Sequence, residues 1–330
     1  MTSNLPLIRL SAANPFLTEL QRRKLPVGQL LRDMDLPETI PASNELFVSS
    51  RVMYQIVEKC SETADDPHFG FSIGQKIDLH DWAPIATAFE SANTIGDLLN
   101  HFIIKAMDHS SFTQFFVRTE GDRTTFGFRR LATPPVVPAQ NDAFYLGLLV
   151  KVLAKATRDH WDPSAVLFKV ADPDAVPPLS ESLRITKGDN LGMQISFPSI
   201  WLIEQIEKSS FSKGVSESRD AGLPKSLIEA LHLALLPHMH ETDLNMDRAA
   251  NICGFDRRRL SAQLRSRGTT LGKEIAALRA KHAQIGLSNS NRRVFDIAQS
   301  VGFKDATVFS RAFKNWTGQS PQEYRRSHRQ

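Results

Sequence analysis

The chain has 330 residues, 41% of them hydrophobic and 23% charged, which is enough length for two domains and a sizeable core. No apolar run approaches the roughly 18 residues that a spanning helix needs, so no membrane partner is expected. Its net charge of +4 is unevenly placed: from residue 216 onward there are 19 Lys and Arg against 11 Asp and Glu, whereas residues 1 to 215 hold 21 against 25. A basic C-terminal third joined to a mildly acidic remainder suits a polyanionic partner.

The opening MTSNLPLIRLSAANPFLTEL lacks a basic start, an apolar stretch and a small-residue cleavage site, so no secretory leader is read and a cytoplasmic setting is expected. Helical periodicity runs around 45–62, 94–107 and 140–160. Strand-like runs follow at SFTQFFVRTE, TTFGFRR, AVLFKVA and MQISFP. They lack the regular alternation of a doubly wound sheet, which predicts an α+β N-terminal domain. His80, His101 and His109 read as loop or surface residues, and Trp82, Trp161 and Trp201 as core or as the wall of a ligand pocket. Cys60 and Cys253 stand far apart with no Cys-x-x-Cys pair or Cys/His cluster, so neither a disulfide scaffold, a metal site nor a cofactor is expected. His238 and His240 lie at a helix end without a third ligand nearby. The Ser-, Gly- and charge-rich stretch 207–226 predicts a boundary, giving domains 1–215 and 216–330.

Beyond the boundary the pattern is helical and repeats. Ala250, Gly254 and Phe255 recur as Ala298, Gly302 and Phe303 at an offset of 48, and Leu260 and Leu264 as Phe309 and Phe313 at 49. Each copy predicts a short helix with a small alanine, a glycine corner and a second helix anchored by an apolar i, i+4 pair. That is a helix-turn-helix, here twice, over about 244–266 and 294–316. In the second copy Asp305 is the expected N-cap, Val308 and Ala312 join Phe309 and Phe313 in an apolar stripe, and Thr307, Ser310, Arg311 and Lys314 form the opposite stripe. The corresponding stripe of the first copy is Arg258, Ser261, Ala262 and Arg265, with Arg257 preceding it. Small polar and basic side chains on one helix face suit base edges and phosphates in a major groove. Between the copies, Leu271, Ile275, Leu278 and Ile285 predict a linker helix able to hold helices 256–266 and 305–316 about one DNA turn apart.

DIAQSVGFKDATVFSRAFKNWTGQSPQEYRR resembles the C-terminal signature of the AraC/XylS family of bacterial transcriptional regulators, a likeness running from near Pro224 to Arg326. The resemblance implies base-reading positions at Arg258 and Ser261 in the first motif, and at Thr307 and Arg311 in the second. It also implies a cap and restart at Gly318 and Pro321, with Tyr324 packing back. Ala262 stands where the family commonly has arginine, and Arg257, Arg258 and Arg259 run together, which moves the first helix toward phosphate contacts. Residues 65–102, with a helix opened by Thr94, are similar to the arabinose-binding-type regulatory domain of one branch of the family. That implies a small-molecule effector, pairing into a homodimer, and activation through RNA polymerase.

Enzymatic readings fare poorly. VEKCSET places Cys60 in a helical pattern rather than on a strand-to-helix elbow, and no Gly-rich phosphate loop occurs. No catalytic residue is therefore assigned. The competing non-enzymatic reading is an architectural or repressor DNA-binding protein that responds to no effector.

Overall fold

The computed structural model describes residues 5–37, 46–178, 183–207, 224 and 226–328. The chain divides into two compact units, Pro6–Leu223 and one built on Pro224–Gln330. Most of the boundary stretch, 208–223, lies outside the described residues.

In the first unit β1 (Leu7–Arg9) pairs antiparallel with β2 (Phe47–Ser49), and α1 (Asn14–Arg22) and α2 (Val27–Asp33) lie between them in the chain. Helices α3 (Ser50–Ala64), α4 (Phe69–Lys76), α5 (Ala83–Ser91) and α6 (Ile95–Ala106) follow. Thr94 opens α6 through a reciprocal cap: its hydroxyl accepts from the Asp97 N–H at 3.1 Å, and the Asp97 carboxylate accepts from the Thr94 N–H at 3.0 Å. The hairpin β3 (Thr113–Glu120) and β4 (Arg123–Arg130) comes next, then α7 (Ala139–Thr157), β5 (Leu167–Val170), β6 (Arg184–Lys187) and β7 (Gly192–Pro198). The five-stranded sheet runs β3-β4-β7-β5-β6, antiparallel except for β5 beside β6.

This is the expected α+β arrangement, and the four strand-like runs became β3, β4, β5 and β7. Alternation explains their burial, since Phe126 and Phe128 of β4 and Met193, Ile195 and Phe197 of β7 enter one core. The elements not foreseen are short helices, and strands of three or four residues that hold too little periodicity to register. Helix α7 lies so close to α4 that a side-chain carbon at Gly70, Gly74 or Gly147 would overlap the facing backbone.

One buried ion pair joins the sheet to α7. Arg130 of β4 meets Asp142, both fully buried, while its Nε donates to the Tyr54 hydroxyl at 2.9 Å. Asp142 also accepts from the Ala171 N–H at 3.0 Å. Removing either charge would leave the other stranded in the core. Beside them Glu58 accepts the Gln140 N–H at 2.9 Å, and burial pushes its carboxyl up to about 8.

The second unit is helical: α8 (Leu227–Leu235), α9 (Met246–Cys253), α10 (Arg257–Arg265), α11 (Leu271–Asn289), α12 (Val294–Ser300), α13 (Ala306–Thr317) and α14 (Pro321–His328). Both helices expected to read DNA begin one residue later than the sequence spans, because Asp256 and Asp305 are their caps.

Candidate nucleic-acid interface and ligand cavity

The repeat holds at the level of single hydrogen bonds. Gly254 (φ 67°) ends α9 and Gly302 (φ 80°) follows α12, both in the left-handed region that favours glycine. The Phe255 N–H donates to Ala250 O at 3.0 Å, and the Phe303 N–H to Ala298 O at 2.9 Å. Asp256 then caps α10 by accepting the Arg259 N–H at 2.8 Å, and Asp305 caps α13 by accepting the N–H groups of Thr307 and Val308 at 2.6 and 2.9 Å. Those amides, with Arg311 nearby, hold the Asp305 carboxyl below its ordinary range. Each corner phenylalanine lies under a guanidinium: Arg259 over Phe255 at 4.7 Å, Arg279 over Phe303 at 5.4 Å.

The anchoring pairs are buried as their spacing required. Leu260 and Leu264 fix α10; Phe309 and Phe313 fix α13, where Phe313 also meets Tyr324 of α14 at 5.4 Å between ring centres. Gly318 turns the chain in the left-handed region and α14 restarts at Pro321, so the end of the signature folds as expected. Val308 is a correction: it is 56% exposed. It stands one residue, or 100° of helix rotation, from Phe309, beyond the buried edge.

The opposite faces are open. Arg258, Arg265, Thr307, Arg311 and Lys314 are exposed, and Ser261 and Ser310 half-exposed. Arg257 pairs with Asp247 at 3.0 Å in solvent, a contact easily exchanged. The Ser310 hydroxyl donates to Ala306 O at 2.7 Å, so towards a ligand it offers chiefly an acceptor. The side chains of Arg258 and Arg265 on α10, and of Arg311 and Lys314 on α13, make no hydrogen bond or ion pair among the described residues.

The connecting helix α11 has 19 residues, roughly 28 Å at 1.5 Å each. Leu271, Ile275 and Leu278 are buried, but Ile285 is 47% exposed, against expectation. The burial shifts instead to Ala283 and Leu287, which pack with Ile297, Phe309 and Phe313. A helix serving two motifs changes its buried face along its length, and a single stripe does not describe it.

A polar node joins this helix to the second corner. Glu241 accepts from Arg248 Nε and Nη2, each at 2.9 Å, and from buried His238 Nδ1 at 2.8 Å. Arg248 foremost holds the Glu241 carboxyl down to about 2. Arg279 Nη2 donates to Glu241 O at 2.8 Å, and a side-chain carbon at Gly302 would sit 2.6 Å from that same oxygen. Nothing in the spacing of these residues signals the node; only folding brings them together.

In the first unit a cavity of about 60 Å³ is walled by Trp82, Phe102, Phe115, Phe144 and Tyr145, among others. Trp82 therefore serves both expected roles, core and cavity wall. Trp161 and Trp201 do not line that cavity; they pack on each other at 5.6 Å. His109, expected at the surface, is buried beside the cavity. Cys60 and Cys253 are both buried inside helices, and burial pushes their thiols up, Cys253 to about 12, which suits packing rather than nucleophilic chemistry.

Two family models match separate stretches of the chain. Residues 249–327 match the model of a helix-turn-helix domain, and residues 25–182 that of the N-terminal arabinose-binding domain of AraC transcription regulators. The raffinose operon transcriptional regulatory protein RafR of Pediococcus pentosaceus is 46% identical over 59 residues, 18% of this chain and 21% of RafR. The Msm operon regulatory protein of Streptococcus mutans is 37% identical over 62 residues, 19% and 22% of the two chains. The matched stretch thus spans about a fifth of these relatives' length. Among solved structures, the transcriptional regulator CdpR of Pseudomonas aeruginosa aligns over 95% of this chain and 97% of its own, at 16% identity and a TM-score of 0.38. The DNA-binding domain of AdpA, solved with a target DNA, aligns over 30% of this chain and 90% of its own at 25% identity, TM-score 0.28. With one domain model matched on each side of the boundary stretch, the chain belongs to the AraC family of transcriptional regulators.

Proposed function

We propose that this chain is an effector-responsive transcriptional regulator, acting as an activator, that sets α10 and α13 into successive major-groove segments of duplex DNA. The observation that carries this reading is the duplicated corner with its outward stripe: two helices, each pinned by a buried pair, each presenting small polar and unpaired basic side chains. Arg258, Ser261, Thr307 and Arg311 take base edges; Ser310 adds an acceptor; Arg257, Arg265 and Lys314 take phosphates. Residues 216–330 form the DNA-binding part, and 1–215 take the effector and pair two chains. The domain match over 25–182 supports the effector role, while pairing and contact with RNA polymerase rest on the family resemblance alone. A cytoplasmic setting follows from that role; no described helix is long and apolar enough to cross a membrane.

The test is fluorescence anisotropy on labelled duplex DNA with the full chain and with residues 224–330, a compact unit with its own core. Both should bind, with log affinity falling linearly in log salt as counterions are released. A folded fragment without DNA affinity at low salt overturns the proposal. The architectural alternative would bind DNA identically with and without every ligand that stabilises the first unit.

A further inference from the structure

Two neighbouring cavities in the first unit share Phe102 and Tyr145 in their walls. The larger, about 60 Å³, is faced mainly by aromatic rings; the smaller, about 20 Å³, by Leu98, Leu148, Val152 and other apolar side chains. No Asp, Glu, Lys or Arg lines either one among the described residues. Most polar groups at the larger cavity already have partners within the protein. The Tyr54 hydroxyl accepts from Arg130 Nε at 2.9 Å, Ser110 Oγ accepts the Phe112 N–H at 3.2 Å, and Asn141 Nδ2 reaches the Asp142 carboxylate at 3.4 Å. Trp82 differs. It is 4% exposed, lines the larger cavity, and its indole N–H is buried with no hydrogen-bond partner among the described residues.

An unpartnered buried donor in an aromatic cavity favours a guest that is apolar over most of its surface and supplies one acceptor. A monosaccharide, with a hydroxyl on nearly every carbon, would lose its water hydrogen bonds there and recover few. A carboxylate would meet no Lys or Arg at the wall among the described residues, and Arg130 is held by Asp142. Resting on the effector reading above, we infer that this cavity binds a neutral, largely apolar ring or chain carrying a single hydrogen-bond acceptor directed at Trp82 Nε1, and does not bind a sugar. Phe102 and Tyr145 stand between the two cavities, so an alkyl substituent can reach the smaller one when these rings turn.

The experiment uses the full chain in thermal-shift and titration-calorimetry measurements. The probes are acetophenone (ring plus acceptor), ethylbenzene (ring alone), benzoate (charged), L-arabinose and D-glucose. Acetophenone should raise the melting temperature and bind most tightly, while benzoate and the sugars have no effect. Trp82→Phe keeps an aromatic ring and removes the donor; it should weaken acetophenone roughly threefold to tenfold and leave ethylbenzene unchanged. Ala106→Phe fills the larger cavity and should remove binding of both; if it fails to fold, the Trp82→Phe comparison between the two probes still decides. Stabilisation by a sugar that Ala106→Phe abolishes overturns the ligand class and leaves the effector reading standing. Failure of every probe, sugars included, to bind the folded chain overturns both.

Discussion

Arg311 is the position at which the proposed reading face is most directly exposed to test. It lies one helical turn beyond Thr307 on α13, exposed, its side chain making no hydrogen bond or ion pair among the described residues, only a favourable field at the Asp305 carboxylate. Truncating it removes no packing, so Arg311→Ala should change folding stability by no more than about 0.5 kcal/mol. A bidentate arginine–guanine contact is worth about 1–3 kcal/mol, so discrimination at one base pair should fall by roughly five- to 150-fold. The control is Phe313→Ala. That ring is fully buried against Phe309 at 5.7 Å and Tyr324 at 5.4 Å, and emptying it should cost about 3–5 kcal/mol and unfold the second motif. The assay selects a preferred site from random duplexes, then measures anisotropy on it, on its single-base variants and on scrambled DNA, with thermal melts in parallel. If Arg311→Ala melts the unit as severely as Phe313→Ala, or weakens selected and scrambled DNA equally, the assignment of this face is wrong.

Lys314→Ala should weaken every sequence alike and reduce the slope of log affinity against log salt by about one, read from the same titrations at several salt concentrations. Gly302→Ala combines a left-handed φ of 80° with a side-chain carbon 2.6 Å from Glu241 O and 2.8 Å from Met239 O. It should cost more than the about 1–2 kcal/mol of the backbone conformation alone, and chemical denaturation should show the loss. Glu58 takes up its proton in the folded state up to about pH 8, against an ordinary value of 4.5. The stability it contributes is complete below about pH 4.5 and is lost as the pH rises to about 8. Glu58→Gln, which stays neutral and can still accept the Gln140 N–H, should therefore gain on the native chain over that window, by up to a few kcal/mol. Denaturant midpoints that stay parallel between pH 5 and 8 would refute it.

The sequence alone determined those features whose cause is local. A glycine at a left-handed corner, an aspartate at a helix start and an apolar pair four residues apart each act within a few residues, so Gly254, Gly302, Asp305 and Phe309 with Phe313 could be read in register. The same holds for the helix opened at Thr94 and for the alternating strands β4 and β7. Tertiary structure decided whatever depends on partners distant in the chain. The buried face of α11 shifts because its two ends serve different motifs, which leaves Ile285 in solvent and draws in Leu287. Glu241, Arg248, Arg279 and Gly302 meet only once the helices pack, and so do Arg130 and Asp142, facing each other from a strand and a helix. The chemistry of the aromatic cavity belongs with these: Trp82 alone signals a core residue, and its N–H has no hydrogen-bond partner among the described residues once Phe102 of α6 and Phe144 and Tyr145 of α7 pack their rings around it.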